Sequence, residues 1–335
     1  MNVFFKEKIT FDSGNTIDDA PTLNVSYGVD KNFMFGSGVS ITSVLMNNQD
    51  INLSFHLFTD YIDDEYLKNF EILSNQFNTC INIYLIDPEY FLDLPTSNFW
   101  SYATYFRVLS FEYLSELIDS LLYLDADVMC KGSLRKFTEV SFQNQYAAVV
   151  LDNEEMQVKS AERLNYPELE GKYFNAGVLY VNLKKWNEKK VTEYLLRLLR
   201  GETKYGRLKY LDQDGLNIVF ELNNIYLPND YDCIYSLKNE LKDPTHQTYK
   251  NTISDSTVLV HYTGITKPWH RWASYPASKY FSLARDISPW KKYHLKKAGT
   301  LAEMQKCYKH VFKQKKYFLG VLFLIQYKIK KLKSK

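Results

Sequence analysis

Cysteine is scarce in this chain of 335 residues. The four present, Cys80, Cys130, Cys233 and Cys307, are scattered with no C-x-x-C pair. That pattern fits free thiols in a reducing compartment and excludes a cysteine-built zinc site. Long hydrophobic runs are also missing. The most apolar segment, residues 317–325 (YFLGVLFLI), has nine residues, well short of the roughly 20 a helix needs to cross a bilayer. The amino-terminal stretch MNVFFKEKITFDSGN brings acids and glycine early, so no signal peptide is expected. Acids almost vanish from Trp290 onward, where 14 lysines face the single acid Glu303 and the local balance is +13. The rest of the chain carries 27 basic and 38 acidic residues and stands at −11. An acidic body with a basic tail points to two separate jobs.

What is present suits a folded globular protein. Hydrophobic residues make up 45% and charged residues 24%, enough for one large core or two modest ones. The 27 Tyr and 21 Phe are abundant; most of these rings belong in the core, though aromatic faces also suit sugars and lipid interfaces. Residues 1–21 read as a loose leader ending at Pro21. Strands are expected over 23–29, 53–59, 81–86, 121–124, 147–151, 177–181 and 258–260. Helical spacing marks 36–48 and 63–77, and 99–117 is helix-rich. This alternation predicts an α/β fold with a mainly parallel, Rossmann-type sheet and helices on both faces.

The segment Leu121-Leu122-Tyr123-Leu124-Asp125-Ala126-Asp127 carries the most chemistry. A run such as LLYL reads as a strand buried on both faces, which leaves the two acids at its carboxyl end. In open α/β sheets that edge is where ligands bind. Two neighbouring carboxylates repel unless something positive neutralises them. A divalent cation is the simplest candidate, being able to bridge phosphates; a solvated turn is the alternative. Strands ending near 59, 86, 124 and 151 are each followed by an acid (Asp60, Asp87, Asp125, Asp152), so parallel strands would gather these along one rim. A solvated rim is the preferred reading for Asp60 and Asp87, and Asp152 stays open. An Asp-x-Asp phosphohydrolase would want a hydroxyl where this chain has Met129.

Further segments offer polar groups at strand ends. They are GVDKNF (28–33), YFNAGV (173–178), LDQD (211–214) and HYTGITKPWH (261–270). Bland readings stand beside each. Asp212 could be an N-cap, His261 a satisfied core histidine, Asn175 a turn residue and Arg107 a structural ion pair. Trp269, His270 and Trp272 could shape an acceptor pocket or simply fill the core.

Taken in order, SYGVD, YATYFR, YLDADV, YFNAG, LDQD and HYTGITKPWH resemble the retaining family 8 glycosyltransferases over about residues 23–275. The likeness is narrower still to the bacterial hexosyltransferases that extend the lipopolysaccharide outer core. The resemblance implies a GT-A-like fold and a UDP-sugar donor, UDP-glucose ahead of UDP-galactose. It further implies that Asp125, Asp127 and His261 hold Mn²⁺ or Mg²⁺ on the donor diphosphate. Gly28, Asp30, Asn32, Phe33 and Ala126 would meet the nucleotide, while Gly264 and Lys267 would cradle its phosphates. Arg107, Asp125, Asn175, Ala176, Asp212 and Gln213 would surround the donor sugar, with Asp212, Gln213 and Lys267 in catalytic roles. The implied reaction adds an α-linked hexose to a lipopolysaccharide core acceptor. Rival readings are a non-catalytic nucleotide-sugar-binding peripheral membrane protein and a self-glucosylating primer of the glycogenin kind.

The tail mixes aromatics, aliphatics and lysines. Lys313, Lys315 and Lys316 precede the apolar segment, and Lys328, Lys330, Lys331, Lys333 and Lys335 follow it. Such a helix suits an anionic membrane surface, expected here to be the cytoplasmic face of the bacterial inner membrane. The apolar core of the tail argues against nucleic acid, and a docked buried helix is the structural alternative. The expected organisation is a leader (1–21), a catalytic domain (22–285) and a basic amphipathic helical tail (286–335). A cut near residue 300 is expected to free the enzyme from membranes and spare turnover.

Overall fold

Leu121 and Tyr123 point into one hydrophobic core while Leu122 and Leu124 point into another, which is why this strand is apolar at every position. The computed structural model describes residues 4–14, 16–87, 89, 94–95 and 102–334. The first half holds β1 (Phe5–Asp12), β2 (Thr22–Val29), α1 (Met34–Asn47), β3 (Asn52–Thr59), α2 (Asp64–Phe77) and β4 (Cys80–Ile86). Next come α3 (Phe106–Leu114), β5 (Ser120–Leu124), β6 (Val128–Cys130), α4 (Arg135–Thr138), β7 (Ala147–Leu151) and α5 (Glu154–Arg163). They are followed by β8 (Phe174–Asn182), α6 (Leu183–Glu188), α7 (Val191–Leu199), α8 (Leu211–Val219), β9 (Asn224–Leu227) and β10 (Cys233–Ile234). The chain closes with α9 (Gln247–Thr252), β11 (Leu259–His261), α10 (Lys279–Ile287), α11 (Leu301–Lys313) and α12 (Tyr317–Lys333).

The large sheet has the order β1-β4-β3-β2-β5-β8-β7-β9. Strands β2, β3, β4, β5, β7 and β9 share one direction, and only β1 and β8 run against them. Helices α1, α2 and α10 pack on one face and α3, α6, α7 and α8 on the other. Asp60, Asp87, Asp125 and Asp152 therefore do end on one rim. Asp60 is exposed there, and Asp87 pairs with Lys6 of β1 at 3.4 Å.

Two expectations need correction. The stretch taken as a loose leader contains β1, which pairs antiparallel with β4 at the sheet edge. Its Ile9 and Phe11 lean on the core while Lys6, Glu7 and Lys8 face outward; charges on an edge strand block further pairing and hide its β character. The segment 258–260 does not join the large sheet. Its strand, β11, pairs instead with β10 and β6 in a small three-stranded sheet. The helix-rich stretch 99–117 begins outside the described residues and resolves into a short 3₁₀ turn (Tyr102–Tyr105) leading into α3.

Candidate active site

The two acids sit in a tight turn between β5 and β6, closed by Val128 N–H donating to Asp125 C=O at 3.0 Å. Register does the rest. Strand β11 lies antiparallel to β6 with His261 opposite Val128, and Tyr262 N–H donates to Asp127 C=O at 3.0 Å. The small sheet thus carries His261 to the acids from far along the chain. Strand β8 runs opposite to β5, so its amino end reaches the same rim, where Asp125 N–H donates to Gly177 C=O at 2.8 Å.

His261 Nε2 lies 3.4 Å from Asp127 Oδ1 and 4.0 Å from Asp125 Oδ2. Among the described residues, these three form the group able to hold a metal ion, with ligand atoms within 4.8 Å of one another. His261 Nδ1 donates to the buried Asp232 at 2.9 Å, which fixes the ring so that Nε2 faces the acids. Two carboxylates and one imidazole with an anchored tautomer fit Mn²⁺ or Mg²⁺. Burial alone would depress the His261 pKa, but Asp232 and Asp127 outweigh it and raise it well above the ordinary value. Asp127 is the mirror case. Burial favours its neutral form, yet Lys267 and His261 hold its carboxyl well below the usual range.

Lys267 contacts Asp127 directly and donates to Tyr262 C=O at 2.9 Å. Its ammonium also stands 5.9 Å from the Phe33 ring. Phe33 packs edge-on against buried Trp269, centroids 5.7 Å apart. The turn at 30–33 is tied by Asp30 Oδ1, which accepts from the N–H of Asn32 (2.8 Å) and of Phe33 (3.2 Å). Asn32 is exposed. Gly28 allows α3 to cross β2, since a Cβ there would meet Phe106 Cβ at 2.9 Å. Ala126 is buried under the start of α1. Gly264 has φ +87°, a conformation that favours glycine.

Arg107 is buried and bridges two acids. Nη2 donates to Asp125 at 2.8 Å, and Nε stands 2.9 Å from Asp212 Oδ2, an ion contact out of line for a hydrogen bond. Burial opposes its charge, and Asp212, then Tyr123 and Asp125, overcome that and keep the guanidinium protonated. Asp212 is no N-cap; it lies in the first turn of α8 and accepts from Thr104 at 2.6 Å. Leu211, just before it, holds a positive φ of 37°, backbone strain of the kind that collects at functional sites. Gln213 is held at both ends. Its Oε1 accepts from Ala176 N–H at 3.2 Å, and its Nε2 donates to Asp152 at 3.0 Å. Asn175 turns the chain by accepting from Gly177 N–H at 2.8 Å and reaches Asp152 at 3.4 Å.

The Glycosyl transferase family 8 model matches residues 24–273, and the Glycosyl transferase family 8 C-terminal model matches residues 275–331. The chain belongs to glycosyl transferase family 8. Lipopolysaccharide 1,2-glucosyltransferase of Escherichia coli is 44% identical over 98% of this chain and 97% of its own length. Lipopolysaccharide 1,3-galactosyltransferase of Salmonella typhimurium is 41% identical over 94% and 93%. The galactosyltransferase LgtC, solved with donor and acceptor sugar analogues, matches at 25% identity and TM-score 0.62 over 78% of this chain and 95% of LgtC. The fold is accordingly GT-A-like, and this family 8 member is a glycosyltransferase.

Sequence reasoning about this glycosyltransferase missed several groups. Asp232 carries no local signal, because only the pairing of β10 with β11 brings it to His261. Asp152 was visible as a rim acid, but its grip on Gln213 and Asn175 was not. Trp269 and Trp272 turn out to be buried core residues.

Proposed function

We propose that this glycosyltransferase moves a hexose, glucose ahead of galactose, from its UDP donor onto a lipopolysaccharide outer-core acceptor with retention of anomeric configuration. The observation that carries this reading is the meeting of Asp125, Asp127, His261 and Lys267 at one point of the sheet rim. The glucosyl- and galactosyltransferase relatives, similar over nearly the whole chain, support the acceptor class.

Asp125, Asp127 and His261 would hold Mn²⁺ or Mg²⁺, which when bound supplies Lewis-acid neutralisation of the donor diphosphate. Lys267 adds a fixed positive charge beside the same carboxylates, where charge on the leaving UDP develops. The turn at 30–33 takes the uridine and ribose, and Gly264 admits backbone close to the phosphates. Arg107, Asn175, Asp212 and Gln213 line the donor sugar. Hydrogen bonds to Ala176, Asp152 and Tyr173 fix the Gln213 amide as a polar wall beside the reacting carbon. No protein base is required, since the departing phosphate can accept the proton of the attacking hydroxyl from the same face.

The enzyme would work at the cytoplasmic face of the inner membrane, held there by α12. Phe318, Leu322, Ile325, Ile329 and Leu332 are all exposed, and their alternating spacing of four and three residues makes one apolar stripe. Lysines flank the stripe, as on interfacial helices. Among the described residues no helix is long and apolar enough to cross a membrane.

Incubation with MnCl₂, a truncated core acceptor and either UDP-glucose or UDP-galactose tests the assignment, with the product read by mass and its linkage by NMR. Addition of one α-linked hexose is expected. A β linkage would overturn retention, and absence of transfer from both donors would overturn the reading.

A further inference from the structure

A buried seam joins the active-site rim to the carboxyl-terminal helices. His310, on α11, has no exposed surface. Its Nε2 lies 3.2 Å from Thr266 Oγ1, and its Nδ1 lies 2.8 Å from the Tyr275 hydroxyl. Trp272 Nε1 donates to the same Thr266 oxygen at 3.2 Å. With Trp272 donating to its oxygen, the Thr266 hydroxyl can give its own proton to His310 Nε2, the arrangement assigned here, with the ring proton on Nδ1 toward Tyr275. Burial lowers the His310 pKa to about 4, in keeping with a neutral ring.

Lys267 follows Thr266 directly. Its backbone N–H donates to His270 Nδ1 at 3.1 Å, and His270 Nε2 faces Glu303 of α11 at 3.7 Å. Glu303 is itself fixed in a capping box with Thr300 at the start of α11. Helix α11 therefore meets the 266–267 segment directly through His310, which bonds to the Thr266 hydroxyl, while its Glu303 faces His270, the acceptor of the Lys267 N–H. A lysine ammonium rides on a flexible stem, so its placement depends on how firmly its backbone is anchored.

We propose that His310 is a positioning residue which, through Thr266, sets Lys267 against Asp127. Helix α11 then belongs to the machinery for the leaving diphosphate, in addition to bearing the tail. The inference rests on the role given to Lys267 above.

A double-mutant cycle on the full chain tests it. His310→Phe keeps ring bulk without the hydrogen bonds, Thr266→Val keeps shape without the hydroxyl, and Lys267→Ala removes the charge. The readouts are UDP affinity in MnCl₂ by calorimetry and kcat and KM with UDP-glucose. His310→Phe and Thr266→Val should each lower kcat about tenfold and weaken UDP binding about threefold. Placed on Lys267→Ala, neither should change UDP affinity by more than about twofold, because the charge they position is gone. His310→Gln, which can still bond to Thr266, should recover most of kcat. Equal losses with and without Lys267, or wild-type behaviour of both single variants, would overturn the proposal. Lys267→Ala with undiminished activity and UDP affinity would overturn the Lys267 role and this proposal together. Should His310→Phe fail to fold, the Thr266→Val pair makes the same comparison.

Discussion

His261 is held on two sides, and each side can be tested by one substitution. Asp232 accepts a hydrogen bond from Nδ1 at 2.9 Å. Asp232→Asn keeps the volume but weakens the acceptor that fixes the tautomer. Mn²⁺ affinity, followed by EPR of the free ion, should fall about 10- to 100-fold; an unchanged affinity would mean that His261 needs no orienting partner. Gly177 supplies space. A Cβ there would stand 2.3 Å from His261 Cε1 and 2.9 Å from Nδ1, closer than real atoms approach. Gly177→Ala should therefore push the imidazole off the acids and weaken Mn²⁺ binding in the same EPR assay, while lowering stability by about 1–3 kcal/mol. Asp125→Asn removes a carboxylate that faces both His261 and Arg107. Transfer should drop about 100-fold or more, and full activity of that variant in EDTA would remove the metal from the reaction.

Helices α11 and α12 divide the tail's work. Cys307 and Val311 of α11 pack on Trp272, and His310 reaches Thr266. α12 folds back along α11, with Tyr327 against Tyr308 at 5.5 Å and Phe312 beside Gly320. Its outer stripe is left bare. The sequence reading expects everything beyond residue 300 to be dispensable for turnover; these contacts predict instead that only α12 can be removed without loss. A chain ending at Lys316 should keep most of its turnover with soluble acceptor and lose flotation with anionic vesicles. Persistent flotation would exclude α12 as the membrane contact. A chain ending at residue 300 should lose turnover as well.

On the scale of the whole molecule, acid should loosen the fold partly through buried histidines. Burial is the main cause in each case: it lowers His56 to about 3, with Lys8 assisting, and His270 and His310 to about 4, with Glu303 opposing the shift at His270. In the unfolded chain these rings take protons near pH 6.5. Between that pH and the folded values the unfolded state binds more protons, so stability present above pH 6.5 is lost as pH falls. The loss is up to ~1.4 kcal/mol per pH unit for each ring. Urea unfolding at pH 7 and pH 5 should show the decline, and His310→Gln should remove one ring's share of that slope. An unaltered slope would mean that His310 is not buried as a neutral ring.

Much of this architecture was legible before any coordinate. Both-face burial of LLYL, the Asp that follows each of four strands, and the order of the glycine, amide and lysine segments are local properties of the chain. They determined an α/β sheet and its working rim, and the family resemblance implied which residues to place there. The lysine-flanked apolar tail was legible in the same way, since charge and periodicity along one helix need no partner to be read.

Only the tertiary structure decided which of these groups touch. The Asp232–His261 bond depends on a two-residue strand pairing, the Gln213–Asp152 bond spans 61 positions and the His310–Thr266 bond spans 44. No periodicity encodes such meetings, because they follow from strand order and register across separate sheets. The edge strand β1 escaped for a related reason: its outward charges match solvent, and its pairing is apparent only beside β4. Sequence therefore determined the kinds of chemistry present at the rim. Packing decided the geometry, because distances between groups far apart in the chain are properties of the assembled sheets alone.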